Sequence, residues 1–430
     1  MISCLGGAAA AGDENGSPVL GAEDCVRIAL ERHPILEAAA ADLGGAASRV
    51  RQAWTGYLPR GSFRQTFTHL DVPVESVVRG VDLNGDGTTT EQSSQRFDFH
   101  ESTFTARQTV FDFGKTLDQI RSANADRAAA AADVENARAD VTVTVRRAFF
   151  EAVSAEAQLR AREESLGQED AVTGESVARQ ESGLAPQYDV TQAKVRAGLS
   201  RLAVIGARRQ VALARERLRT AMGVESPVDG RLDPDLSLRP IALRLDEMLA
   251  AALSGRPEIR GLEEKVRAEE RRAGAIVKDF LPFVAGEASY GFTGRKFPLA
   301  DGWSLGVGAT LPLFDSFETG ARLGEERAVL AATRARLKRL RQEIELQVRE
   351  SFIELDAAAS SATESAQVLE VARKNLDLAR GRYGEGIGSV LEVSDAHSGR
   401  TAAEIASVQA LAAHRIARAM LERAIARPLD

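Results

Sequence analysis

The sequence predicts a mainly α protein with a small β part: long antiparallel α-helical hairpins of coiled-coil type, plus four strands per chain. Three observations predict it. One unit is written twice along the chain, each copy holds a Pro-free helical stretch far longer than a globular domain needs, and each copy holds two segments of strand character. Composition agrees, since 27% of the 430 residues are charged and only 5% are aromatic, a balance nearer to long helices than to an enzyme core.

The duplication shows in two constant spacings. "ALERHPIL" (Ala29–Leu36) matches "ALSGRPEI" (Ala252–Ile259), with Pro34 over Pro257, and "YLP" (Tyr57–Pro59) matches "FLP" (Phe280–Pro282) at the same spacing. "VFDFGKT" then matches "LFDSFET", pairing Phe111 with Phe314 at a second, shorter spacing. That spacing continues through Phe149 and Phe352, Gly183 and Gly386, Val190 and Val393, and Ala193 and Ala396. The change marks a longer insert in the first copy, between its Pro and its FD motif.

In chain order, residues 1–21 are expected to be a flexible or processed segment. The first copy, 22–223, reads as a helix over 22–55, strands at about 61–72 and 97–108 around a polar loop 73–96, a long helix 113–182 and a return helix 187–222. A Pro-rich linker, 224–245, follows. The second copy, 246–427, repeats the pattern with a helix over 246–280, strands at about 283–293 and 303–312, a long helix 317–383 and a return helix 390–426. In its long helix Leu337, Leu340, Ile344, Val348 and Leu355 recur in steps of three, four and seven, which marks a coiled-coil seam. Each long helix would span ~100–105 Å and each shorter one ~51–54 Å. Two half-length helices therefore suffice to cover a long one end to end, meeting near mid-height where the linker lies.

The last two strands alternate. Trp303, Leu305, Val307, Ala309 and Leu311 fall on one face, with Ser304, Gly306, Gly308 and Thr310 on the other. Val284, Ala288, Tyr290 and Phe292 likewise oppose Glu287 and Ser289. This is the pattern of a lipid-facing barrel wall. Alternation alone does not name the medium, and a small sheet packed on a soluble core is the competing reading. Four strands cannot close a barrel, so a wall in a membrane needs several chains.

Other features bound the function. "VDLNGDGTTTEQ" (Val81–Gln92) begins like a calcium loop, with Asp82, Asn84 and Asp86 at alternate positions and Gly87 at the turn. A bidentate Glu is needed as the twelfth residue, where Ser93 stands instead, and the flanks suit strands better than helices. Cys25 precedes an apolar run and is expected to be buried. Cys4, in "MISC" before "LGGAAAAG", could be the remnant of a lipoprotein site with an acylated cysteine, but the basic and apolar regions of a signal peptide are missing, which favours a truncated or misassigned start. A net charge of −7 with both signs interleaved offers no basic patch for nucleic acid. The five histidines (His33, His69, His100, His397, His414) are scattered, with no metalloprotease spacing, nucleophile elbow or phosphate loop, which argues against an enzyme.

The doubled unit, the long helices and the paired segments "GLAPQYDVTQAKV" and "GIGSVLEVSDAHS" resemble the TolC-like outer-membrane efflux factors, over about Ala22–Ala426. The resemblance implies a homotrimer in which three chains give four strands each to a twelve-stranded transmembrane β-barrel, with an α-helical tunnel in the periplasm of a Gram-negative bacterium. It implies a passive exit duct for a tripartite pump or for type I secretion. The duct is joined by a periplasmic adaptor to an inner-membrane transporter of RND, ABC or MFS type, and needs no cofactor.

Residue by residue, Gly183–Leu184 and Gly386–Ile387 match the family's helix-tip turns, where adaptor tips dock. Glu392 and Asp395 match acidic positions at the periplasmic constriction, which threefold symmetry would turn into carboxylate rings. Tyr383 and Asp189 match a pair that latches the entrance by a hydrogen bond between neighbouring helices. Gly388 stands where some relatives place an arginine that strengthens the latch, and Pro186 is expected to start the return helix. On this reading the 73–96 loop faces the exterior, where outer-membrane barrels carry their longer loops. The alternative function is a soluble coiled-coil scaffold or stalk without a pore.

Overall fold

The computed structural model of the chain describes residues 19–76, 91–228, 230–238, 244–385 and 387–429. Cys4, Asp82, Asn84, Asp86 and Gly386 lie outside the described residues.

The elements run β1 (Val19–Leu20), α1 (Ala22–Arg32), α2 (Pro34–Trp54), β2 (Arg60–Ser76), β3 (Glu91–Phe111), α3 (Lys115–Glu181), α4 (Gln187–Met222), β4 (Arg231–Leu232), α5 (Leu245–Gly255), α6 (Pro257–Val277), β5 (Phe283–Gly294), β6 (Ala300–Thr310), α7 (Glu318–Gly384) and α8 (Val390–Ile425). The chain is mainly α with a four-stranded sheet. Both long helices have 67 residues and both return helices 36, so the two copies are matched in length.

Several expectations are corrected. The helices expected over 22–55 and 246–280 are each two helices, broken at Pro34 and Pro257 and ending in a 3-10 turn. A residue before proline is pushed out of the helical region, and His33 (ψ 127°) and Arg256 (ψ 126°) are both extended. Proline then starts the next helix, where its missing N–H is no loss. β2 and β3 run further than expected, pairing from Arg60↔Arg107 to Ser76↔Glu91 and taking residues 73–76 and 91–96 from the two ends of the expected 73–96 loop. The 1–21 segment and the 224–245 linker are not wholly irregular either, because Val19–Leu20 pairs in parallel with Arg231–Leu232.

The residues divide into two compact units. One comprises 44–129 and 263–335 and holds the antiparallel sheet, in the order β2-β3-β5-β6. Its register places one aromatic from each strand in a single row, Phe63↔Phe104↔Tyr290↔Trp303, with the Phe63 and Phe104 rings 4.6 Å apart. The opposite face is polar. There Arg107 donates from Nη2 to Glu287 at 2.5 Å, and the Ser289 and Ser304 hydroxyls lie 2.9 Å apart. β6 is exposed along its whole length, with Trp303 at 78%, so the sheet does not rest on a soluble core. The FD motif acquires a role in this unit. Asp112 accepts from the Thr116 N–H at 2.8 Å and Asp315 from the Thr319 N–H at 2.9 Å, each satisfying donors left open at the start of a long helix.

The other unit comprises, among the described residues, 19–43, 130–262 and 336–429. It holds two apolar cores built alike. Cys25, Ala29, Val145, Leu218 and Met222 in the first correspond, copy for copy, to Met248, Ala252, Val348, Leu421 and Ile425 in the second, all essentially sealed from water. Arg256 breaks the likeness. It takes the place of His33, is buried, and donates to the Ala424 carbonyl and to Gln347 Oε1, both at 2.7 Å. The residues after α8 return to this core, where Leu429 is buried and its carbonyl accepts from Arg418.

Candidate functional site at the helix tips

The first tip is made by glycine. Gly183 has φ 72°, its N–H donates to Gln180 O at 3.0 Å, and the Leu184 N–H donates to Arg179 O at 2.8 Å. This pattern closes a helix C-terminus and needs a left-handed residue there. Pro186 is the N-cap of α4, with extended backbone, and the helix proper begins at Gln187. At the second tip Ile387 and Gly388 both donate to Arg382 O, at 3.1 and 3.0 Å. Leu184 and Ile387, the apolar residues of the two turns, are exposed.

Gly388 proves to be a steric requirement. A Cβ there would lie 2.9 Å from the Tyr383 backbone N and 3.1 Å from Arg382 C. An arginine at this position needs a different backbone path, so its absence has a local cause.

Ser389 caps α8, its hydroxyl oxygen accepting from the Glu392 N–H at 3.2 Å. Glu392 thus occupies the third position of the first turn, where a carboxylate also meets the positive end of the helix dipole. Its carboxylate lies 3.5 Å from Arg382 Nε, and Asp395 lies 3.4 Å from Arg196 Nη2 on α4. With side chains 48% and 68% exposed, both acids remain open to solvent and to ions.

Tyr383 and Asp189 line one cleft of about 360 Å³, together with Ser176, Arg179, Leu184 and Tyr188. The expected Tyr383–Asp189 hydrogen bond is absent within the chain, because the Tyr383 hydroxyl is buried with no partner. The Arg179 guanidinium covers the Tyr383 ring instead, 4.3 Å from its centre, and pairs with Glu175 at 2.8 Å. Burial first, then the charge of Glu175, pushes the phenol above its ordinary pKa, with Asp189 a smaller contributor. The sequence reading missed Arg179, Glu175, Arg196 and Arg382. The Glu175–Arg179 spacing of four and the Ser389–Glu392 capping pattern were legible signals for part of this set.

Among the described residues no helix is long and apolar enough to cross a membrane and no cluster of metal-ligating side chains occurs. An antiparallel sheet with two open edges and an exposed aromatic face, in one chain with Pro-free helices of 67 residues, is the architecture of an outer-membrane channel subunit. Residues 25–224 and 248–427 match the family described as outer membrane efflux protein. The chain belongs to that family: it is an outer-membrane efflux protein and not an enzyme. Proteins of the family are homotrimeric channels that work with pump partners.

Solved structures agree on the fold. The VceC outer membrane protein of Vibrio cholerae is 19% identical with a TM-score of 0.75, covering 95% of this chain and 97% of its own. The CmeC outer membrane channel of Campylobacter jejuni is 15% identical with a TM-score of 0.78, over 94% of this chain and 85% of its own. The MtrE outer membrane channel of Neisseria gonorrhoeae, in its open state, is 18% identical with a TM-score of 0.77, over 94% and 89%. No curated protein matches the sequence. The family match replaces the soluble scaffold as the reading of this chain.

Proposed function

We propose that the protein is the passive exit duct of a tripartite efflux pump or a type I secretion system, moving substrates from the periplasm to the exterior. Three copies close one twelve-stranded barrel. The observation that carries this is the sheet itself. β2 and β6 are open edges, and the Phe63–Phe104–Tyr290–Trp303 row is exposed. Unpaired edges are not tolerated in lipid, and a closed wall needs more strands than one chain owns.

On this reading Leu184 and Ile387 are the apolar contacts for the tips of a periplasmic adaptor, which joins the duct to an inner-membrane transporter. Glu392 and Asp395 form acidic rings at the entrance, each repeated by symmetry. Tyr383 and Asp189 form the latch only between neighbouring helices of the assembled, closed state, which is consistent with a Tyr383 hydroxyl lacking a partner in the single chain. Mass measurement of the detergent-extracted outer-membrane protein, followed by planar-bilayer conductance, tests the proposal. A trimer with discrete conductance is expected, and a non-conducting monomer overturns it.

A further inference from the structure

Glu269 on α6 and Glu326 on α7 bring two carboxyl groups together within the strand-bearing unit, at hydrogen-bonding range. The duplication shows how particular this is. At the spacings that align the copies, Glu269 falls on Ala46 and Glu326 on Ala123, so the first copy places two methyl groups where the second places two acids. Ala46 is fully buried. In the second copy Glu269 Oε2 and Glu326 Oε1 are buried, and neither receives a hydrogen bond from a described donor.

The neighbours do not neutralise the pair. Glu269 Oε1 accepts from Arg272 Nη1 at 2.7 Å, but Arg272 also pairs with Asp126 on α3, and Glu325 adds a further negative charge beside Glu326 on α7. One guanidinium is thus divided among Glu269, Asp126 and Glu326, and Glu325 adds its charge with no share in it. A single O–H between the two Glu side chains would supply the donor that both orphaned oxygens lack, and would remove one of the charges.

We propose that Glu269 and Glu326 share one proton and form a pH-operated clasp between α6 and α7, fastened in acidic surroundings and released in alkaline ones. The electrostatics support the geometry. Burial, then the hydrogen bond and charge of Glu269, push Glu326 up to about 7. Glu269 stays below the ordinary carboxylate range although burial opposes it, because it accepts from Glu326 and Arg272. The two titrate as one unit. Glu326 loses its proton near 4.5 in an unfolded chain and near 7 in the folded one. Folding therefore weakens as pH rises through that window, and the full penalty is in place above it.

Infrared difference spectra of the full-length protein in detergent, between about pH 5 and about pH 9, read the shared proton directly. The wild type is expected to show a protonated-carboxyl carbonyl band that disappears with a midpoint near 7. Glu326→Gln, which keeps an N–H donor but cannot titrate, should abolish that band. Amide hydrogen exchange along α6, corrected for intrinsic rates, should speed up several-fold on the alkaline side in the wild type and stay level in Glu326→Gln. Glu326→Ala, which restores the residue of the first copy, should also be level. Absence of the band in the wild type, its persistence in Glu326→Gln, or pH-independent exchange in the wild type overturns the proposal.

Discussion

Buried His397 sits among Glu169, Arg380 and Arg400 with both ring nitrogens unpartnered. Burial lowers its pKa from 6.5, the two arginines add to this, and Glu169 opposes it. An unfolded chain takes up a proton as pH falls through 6.5, whereas the folded one resists, so acid costs stability here. His397→Leu is expected to raise the thermal midpoint more at about pH 5 than at about pH 8, measured by circular dichroism in detergent. The tip glycines give a second contrast. Gly183→Ala meets nothing within 4 Å and suffers only its left-handed φ, a cost of about 1 kcal/mol. Gly388→Ala drives a Cβ into backbone and should cost more, which paired denaturant titrations will show. Neither the strain at Gly388 nor the isolation of His397 was legible in the sequence. Both depend on which turn of which helix lies alongside.

At the scale of elements, the paired cores make a symmetric prediction. Leu218 and Leu421 occupy equivalent positions and are both fully buried. Leu218→Ala and Leu421→Ala should each cost about 2–5 kcal/mol, with similar midpoint shifts in thermal unfolding. Unequal shifts would point to a place beside these cores where the copies diverge, the Arg256 bond to the last turn of α8. Period and punctuation made the long and return helices readable: they lack internal proline, α3 and α4 stop at Gly183 and Gly223, and Ser389 starts α8. The half-length helices were read as single because Pro34 and Pro257 sit within otherwise continuous helical patterns, and only the extended residue before each shows that the axis breaks. The strands that run into the expected loop carry polar residues, "EQSSQ" among them, which leave no hydrophobic signature in the sequence.

For the whole molecule, the acidic pair has meaning only as a multiple. One Glu392 and one Asp395, each exposed and each beside an arginine, hold a cation weakly, since exposed ion pairs are worth about 0–1 kcal/mol. Repeated around an axis they would concentrate the field. Replacing both with Ala should abolish block of the channel by multivalent cations in planar bilayers, and unchanged block would place the ring elsewhere. The duplication and the family likeness were legible from motifs spread along nearly the whole chain. The tip electrostatics were legible only in part, because Arg179, Arg196 and Arg382 look in the sequence like any other helix-surface charge.

The seam between the copies is a row of backbone bonds, β3 to β5, in the middle of the sheet. A chain severed between residues 239 and 243 would leave β2 and β3 on one fragment and β5 and β6 on the other, with β4 still attached to its partner β1. Each piece would carry one hairpin of the sheet with an adhesive edge, and α8 of the second would bring Ala412 back to the core of the first. Two such fragments made in one cell should find each other along that edge, and a bacterium could encode this wall in six pieces as readily as in three.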